Sequence, residues 1–525
     1  MMTEPKSNYV WAACSGFLMT VAFPKIDFSW CAWFALVPLL IAIRDVTPRQ
    51  GFLLAMIAGI VHYIGLLYWL VYTMHTYGYL PIYQSVAFLL VMAMYLSIFW
   101  GWFGWFAAAN IQVPSQLWLL PTIWTALEYI RTYLLTGFPW GFLGHSQYKQ
   151  IWIIQIADLI GVYGITFLLA SINISIFMCF ASFFKYRWKR KYIRFRTVFI
   201  SILASGLMIT ATFYYGQYRI NAVNQSLKKA PKAKIALIQG NINQSIKWDK
   251  SFQNFTIKRY NRLSYVSLLD KPQLIVWPET ATPFYFTYDK ELTQKVMIGV
   301  KKNKAAFLIG SPSVTVKNGL VQYYNSAYLI DKNGATIDKY DKVHLVPFGE
   351  YVPLKKYLTF AGKIVEQVGD FRSGRRGNTL KWENKKLGLQ ICYEIIFPDL
   401  SRAMVVNGAD LLINITNDAW FGNTSAAYQH FAMTVFRAVE NKRTLARSAN
   451  TGISGFVDPA GRILATTPLF EEKVLTNSAP LLKETTVYSR FGDIFALACL
   501  SLMTIIVINR FIQASIIRII RRKKN

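Results

Sequence analysis

Charge is scarce in this chain, and negative charge is scarcest: 27 Asp and Glu stand against 57 Lys and Arg in 525 residues. Only 16% of the residues are charged while 54% are hydrophobic, too little charge for a typical soluble protein and fitting for one with several membrane spans. Cysteine is sparse as well. Cys14, Cys31, Cys179 and Cys499 all lie in apolar runs, so no disulfide framework is expected. Cys392 alone stands in polar sequence, between motifs rich in carboxylate and lysine, and such a lone thiol points to a nucleophile. No His, Cys and carboxylate set has metal-ligand spacing, so no metal is expected, and nothing calls for a cofactor. The basic excess comes without a zinc-ligand, helix-turn-helix or RNA-binding aromatic pattern. That excludes nucleic acid as the expected partner and favours an anionic membrane surface. Internal repeats and low-complexity segments are absent too.

What is present begins with long apolar runs. A helix needs about 20 mostly apolar residues to cross the hydrocarbon core. Eight stretches are candidate spans: 8–24, 28–43, 51–73, 84–109, 117–135, 161–184, 197–215 and 491–512, the first two short and read as tilted or partly interfacial. The stretch 151–160 is apolar but too short, and reads as a re-entrant or surface piece. Basic clusters flank two spans. Lys185, Arg187, Lys189, Arg190, Lys191, Arg194 and Arg196 follow the sixth, and Arg510, Arg518, Arg521, Arg522, Lys523 and Lys524 mark the tail of the last. Both clusters belong on the cytoplasmic side by the positive-inside rule. The segment between spans seven and eight then lies on the opposite side, with both termini cytoplasmic. The expected organisation is a multi-pass membrane domain over residues 1–217, a polar domain over 218–488, and a last span with a basic tail over 489–525.

The polar segment has another texture. Between Arg219 and Arg490 there are 38 basic and 21 acidic residues. Short β-rich runs such as Ile235-Ala-Leu-Ile-Gln239, Leu274-Ile-Val-Trp277, Ala306-Phe-Leu-Ile309 and Leu411-Leu-Ile-Asn-Ile415 alternate with helical stretches over 252–269, 290–302 and 426–445. Runs apolar on both faces predict sheets buried between helices, hence an α/β layered domain.

Three motifs in this domain carry chemistry. Val276-Trp-Pro-Glu-Thr280 places Glu279 at a strand tip. Tyr340-Asp-Lys-Val-His-Leu-Val-Pro-Phe-Gly-Glu350 supplies Lys342 and Glu350. Lys386-Leu-Gly-Leu-Gln-Ile-Cys-Tyr-Glu394 runs a strand into a turn at Cys392. A free thiol is only slightly ionised at neutral pH, so a nucleophilic cysteine needs a base or a cation beside it. Glu279 is suited to take the thiol proton, and Lys342 to stabilise an oxyanion together with the N–H of Tyr393. His344 and His430 offer a Cys–His alternative. Glu128 and Arg131, three residues apart near a span, are placed to pair.

The ordered set WPE, K-x-H-L-V-P-F-G-E and ICYE resembles the nitrilase superfamily. Joined to membrane helices, it resembles the apolipoprotein N-acyltransferases of bacterial lipoprotein maturation. Leu135-Thr-Gly-Phe-Pro-Trp140, Gln239-Gly-Asn-Ile-Asn-Gln-Ser-Ile-Lys-Trp248, Asn417-Asp-Ala-Trp-Phe-Gly422 and Gln429-His-Phe agree with that family as well. The resemblance implies an αββα sandwich and a Glu279–Lys342–Cys392 triad. It implies ping-pong transfer of an acyl chain from a phospholipid, typically phosphatidylethanolamine, through a Cys392 thioester. The acceptor is the α-amino group of a diacylglyceryl-cysteine at a lipoprotein N-terminus. It also implies supporting roles for Glu350, Tyr393, Glu394, Trp248 and Trp420. The apolar run 344–353 would be a mobile arm dipping into the lipid. The implied setting is the bacterial inner membrane, with the catalytic domain periplasmic and the protein a monomer. A membrane-tethered amidase, with water as acyl acceptor, is the competing enzyme. A transporter would need paired broken helices and charges along a midplane path, in which the spans are poor.

Overall fold

The computed structural model describes residues 5–352 and 370–524. The chain divides into two compact units, one formed by Met1–Val71, Pro81–Gln217 and Asp493–Asn525, the other by Tyr72–Leu80 and Tyr218–Gly492. The short piece Tyr72–Leu80 thus belongs with the second unit, although it lies in the stretch read above as membrane domain.

The first unit is helical. Pro48–Leu67, Ile82–Asn110, Ala157–Phe183 and Phe195–Lys229 are long and apolar enough to cross a membrane. Two of the other expected spans are shorter or interrupted. Leu120–Tyr133 has 14 residues, about 21 Å at 1.5 Å per residue. The stretch 28–43, expected as one span, is a 3-10 helix at Ser29–Trp33 followed by a separate helix at Val37–Ile43 with Pro38 in its first turn. Hydropathy does not register this break because the backbone polar groups it frees find partners on other helices. The Asn173 amide accepts from Leu36 N at 2.8 Å and donates to Ala32 O at 2.8 Å. Ser15 Oγ donates to Ala35 O at 2.6 Å, and Gln147 Nε2 to Ser29 O at 2.9 Å. Non-helical backbone is tolerated in apolar surroundings when it is satisfied in this way. Glu128 and Arg131 are buried and each has partners elsewhere in the unit. Glu128 accepts from Trp124, Leu143 N and Thr166, while Arg131 donates to Tyr63 Oη and Trp140 O.

The second unit is a four-layer sandwich. Its strands are β1 (Lys232–Gln239), β2 (Leu274–Val276), β3 (Ala306–Lys317), β4 (Leu320–Ile330), β5 (Thr336–Asp341), β6 (Thr379–Trp382), β7 (Lys385–Ile391), β8 (Leu411–Thr416), β9 (Leu445–Ala449), β10 (Gly455–Val457), β11 (Ile463–Thr466) and β12 (Lys473–Pro480). One sheet has the order β12-β1-β2-β3-β4-β5 and the other β11-β10-β9-β8-β7-β6. In each, three central strands run parallel: β1, β2 and β3 in the first, β7, β8 and β9 in the second. The sheets face one another, and Ser448 Oγ on β9 donates to Val276 O of β2 at 3.1 Å.

Helices α1 (Lys250–Ser267) and α2 (Lys290–Asn303) cover the first sheet. Ile257, Tyr260 and Leu263 of α1 and Val296 and Val300 of α2 meet Ile238, Ile275, Trp277 and Phe307 in one apolar core. Helices α3 (Pro398–Val406) and α4 (Ala426–Asn441) cover the second sheet. Here Gly388 lies under Met404, and Gly455 under Phe431. All six residues of β8 are buried, in keeping with its doubly apolar run, and all five of β9 are buried too, Arg447 and Ser448 among them. The sequence pattern carries α4 on to 445, but Lys442 takes the left-handed conformation and ends the helix at Asn441.

Candidate active site

Parallel strands point their carboxyl ends the same way, and ligands of open α/β sheets bind at those ends. Glu279 follows the end of β2, Cys392 the end of β7, and Asn417 and Asp418 the end of β8. Two of these turns are sharp. Thr280 has a φ of +48° and Cys392 one of +54°, a region costly for residues with a Cβ and often found at functional sites. The chain comes so close at Glu279 that only glycine fits at position 310 of β3. A Cβ there would stand 2.3 Å from Pro278 O and 2.8 Å from Glu279 Cα.

Lys342 is the hub. Its ammonium lies 2.9 Å from Glu350 Oε1 and 3.5 Å from Glu279 Oε1, and all three side chains are buried. Asn325 completes the cluster, its Nδ2 donating to Glu279 Oε1 at 2.8 Å and to Glu350 Oε1 at 2.7 Å. Glu279 Oε2 accepts from Asn417 N at 3.0 Å. Glu350 Oε2 accepts from Val346 N at 2.8 Å and so closes its own turn while it holds the lysine. Burial alone would lower the Lys342 pKa, but the charges of Glu350, Glu279 and Cys392 outweigh it and raise it above the ordinary lysine value. Lys342 is therefore a fixed cation.

Cys392 is half-buried and lies within electrostatic reach of both Glu279 and Lys342. Burial, and after it the Glu279 charge, push its thiol well above the ordinary value, with Lys342 pulling the other way. These surroundings favour the neutral thiol over the thiolate.

The supporting residues divide. Glu394 is fully buried and braces the turn. It accepts from Ile391 N and Val343 N at 2.6 Å each, from His344 N at 3.1 Å, and from Tyr340 Oη. Burial lifts its carboxyl to about 7 in spite of these donors and of Lys342. His344 stacks on Phe397 with ring centres 3.8 Å apart, a packing role. Trp420 is partly buried in the loop after β8. Its carbonyl accepts from Thr73 Oγ1 at 2.8 Å and its ring meets Tyr77 edge-on at 5.2 Å, so Tyr72–Leu80 backs the loop that donates to Glu279. Trp248 is 48% exposed. In the run 344–353, Phe348 is exposed, and Pro353 lies outside the described residues.

Two further residues join the site: Asn325, which no motif marks, and Lys247, which lies in the Gln239–Trp248 motif without showing its place there. Asn325 sits mid-strand with no charge to mark it; its main-chain oxygen accepts from Lys342 N at 2.8 Å, so only the register of β4 against β5 reveals it. Lys247, beside Trp248, is fully buried and donates to Glu279 O at 3.3 Å and Thr280 Oγ1 at 2.6 Å. Burial lowers its ammonium to about 7, with Glu279 opposing. A lysine next to a tryptophan in a loop gives no sign of that burial.

Asn325→Ala removes the donor shared by two carboxylates. Hydrogen bonds to charged groups are worth about 1.5–3 kcal/mol, so turnover should fall roughly 10- to 100-fold. Steady-state kinetics showing wild-type kcat would remove Asn325 from the site.

Comparison with known proteins covers nearly the whole chain. The apolipoprotein N-acyltransferase N-terminal domain model matches residues 15–175, and the carbon-nitrogen hydrolase model matches residues 234–482. An apolipoprotein N-acyltransferase of Geobacter metallireducens is 41% identical over 514 residues, covering 98% of this chain and 97% of that one. One from Pasteurella multocida is 28% identical, covering 94% of each. Among solved structures, an amidase from Nesterenkonia sp. aligns with 47% of this chain and 90% of its own, at 21% identity and a TM-score of 0.37.

Proposed function

This chain belongs to the apolipoprotein N-acyltransferase family, and from that membership we propose that Glu279, Lys342 and Cys392 carry out its acyl transfer through a thioester. The protein is an acyltransferase of lipoprotein maturation with a carbon-nitrogen hydrolase domain. The observation that carries the assignment of roles is the buried Glu279–Lys342–Glu350 cluster, with the Cys392 thiol in electrostatic reach of Glu279 and Lys342.

In the first half-reaction Cys392 Sγ attacks an ester carbonyl of a phospholipid while Glu279 takes the thiol proton. The oxyanion is held by the Lys342 ammonium and the Tyr393 N–H. The intermediate collapses by breaking the ester C–O bond. Glu279 returns its proton to the departing oxygen, and a lysophospholipid leaves. In the second half-reaction the lipoprotein α-amine attacks the thioester, loses a proton to Glu279, and expels the sulfur, which regains that proton. The thioester divides one difficult ester-to-amide exchange into two easier steps. Glu350 and Asn325 hold the lysine and the base in register, Glu394 braces the nucleophile turn, and Trp248 and Trp420 pack against acyl chains.

The donor we favour is phosphatidylethanolamine, used by a monomer. The topology we favour keeps eight crossings, seven before residue 218 and one after 488. The catalytic domain is then periplasmic and both termini are on the cytoplasmic side of the inner membrane. The basic residues of 185–196 and of the tail support that orientation.

Purified enzyme in phosphatidylethanolamine vesicles with a diacylated lipopeptide should yield N-acyl peptide and lysophospholipid in equal amounts. Free fatty acid with no acylated peptide would make the protein a hydrolase instead.

A further inference from the structure

A chain of buried polar groups ends on the nucleophile from behind. The carbonyl of Cys392 accepts from His430 Nε2 at 3.2 Å and from Asn414 Nδ2 at 3.5 Å. Arg447 stands behind both donors. One of its terminal nitrogens, Nη2, lies 2.9 Å from His430 Nδ1 and 2.8 Å from Asp418 Oδ2; the other donates to Asn414 Oδ1. Arg447, His430, Asn414 and Asp418 are all buried, so water does not compete for these bonds.

The Cys392 carbonyl can only accept, so Nε2 of His430 carries a hydrogen. Nδ1 lies between Arg447 Nη2, a donor, and Asp418 Oδ1, an acceptor 3.1 Å away that also takes a hydrogen from Thr416 Oγ1 at 2.9 Å. Burial, and after it the Arg447 charge, lower the ring's pKa from the ordinary histidine value, although Asp418 pulls the other way.

The peptide after Cys392 is planar, and in a trans peptide the carbonyl and the following N–H point in opposite directions. A donor that pins the Cys392 carbonyl therefore also aims the Tyr393 N–H. We infer that His430, oriented by Arg447, is a positioning residue that fixes the Cys392–Tyr393 peptide and with it the main-chain donor to the oxyanion. Its work is independent of the ionisation of the thiol. The inference rests on the thioester reading above.

The test uses the full-length protein in phosphatidylethanolamine vesicles and two readouts. Single-turnover acylation of Cys392, followed by intact mass, needs the oxyanion donor; alkylation of the same thiol by iodoacetamide does not. His430→Ala should slow acylation roughly 30- to 100-fold and leave alkylation within about threefold. His430→Gln, whose side-chain amide can again donate to the Cys392 carbonyl, should regain at least a tenfold share. Should His430→Ala fail to fold, His430→Asn, one methylene too short to reach, replaces it. Acylation and alkylation falling together, unchanged acylation in His430→Ala, or no recovery with glutamine would each overturn the positioning role. A wild-type protein with no acyl adduct would instead overturn the thioester reading, and the positioning role with it.

Discussion

Glu279→Gln is expected to slow acylation of Cys392 roughly a hundred- to ten-thousand-fold, the usual range for losing a general base, and at the same time to make the thiol easier to ionise. The two effects have opposite signs for one reason. In the proposed mechanism Glu279 takes the thiol proton, yet its negative charge also raises the Cys392 pKa. Glutamine keeps the shape and the acceptor for Asn417 N but removes both the base and the charge. Alkylation by iodoacetamide, which consumes thiolate, should accordingly be faster than in wild type, and its pH profile should shift to lower pH. Alkylation that slows in parallel with acylation would mean that Glu279 shapes the site without acting as its base.

Lys342→Ala is expected to reverse the alkylation result. Lys342 lowers the pKa of Cys392, so its removal raises the thiol further and slows alkylation. Acylation should fall by roughly a hundred- to a thousand-fold with the loss of an oxyanion donor. Glu279 and Glu350 are also left buried without the cation they share, and breaking a buried pair costs about 3–5 kcal/mol. A lower melting temperature should therefore accompany the lost activity. Single-turnover kinetics at saturating lipid separates the chemical step from lipid binding. A wild-type rate at saturation, with only weaker binding, would take Lys342 out of the chemistry.

Much of this site is legible in the sequence because its parts are local. WPE and ICYE each follow a short apolar run, the pattern of a strand ending in a turn, and Glu279 and Cys392 stand at those ends. The layered domain follows from runs such as Leu411-Leu-Ile-Asn-Ile415, apolar on both faces. What escapes depends on partners distant in the chain. Asn325 matters because β4 pairs with β5 in one register and brings it beside Lys342. Lys247 matters because its loop folds against Thr280. The break at residues 34–36 is invisible to hydropathy because Asn173, 137 residues beyond Leu36, satisfies the backbone that it frees. His430 is legible as part of a family motif, but its contact with the Cys392 carbonyl and its neighbour Arg447, a β9 residue, are ones that no local pattern connects to it.

The central claim is that sulfur at position 392 carries the acyl chain between two substrates. Intact-mass measurement of the full-length protein tests it directly, first with phosphatidylethanolamine and then with a diacylated lipopeptide. The expected result is a gain of one acyl chain that maps to Cys392, disappears when the peptide is added as the peptide gains that chain, and never forms in Cys392→Ala. An adduct that persists in Cys392→Ala, or acylated peptide formed by that variant at the wild-type rate, would contradict it.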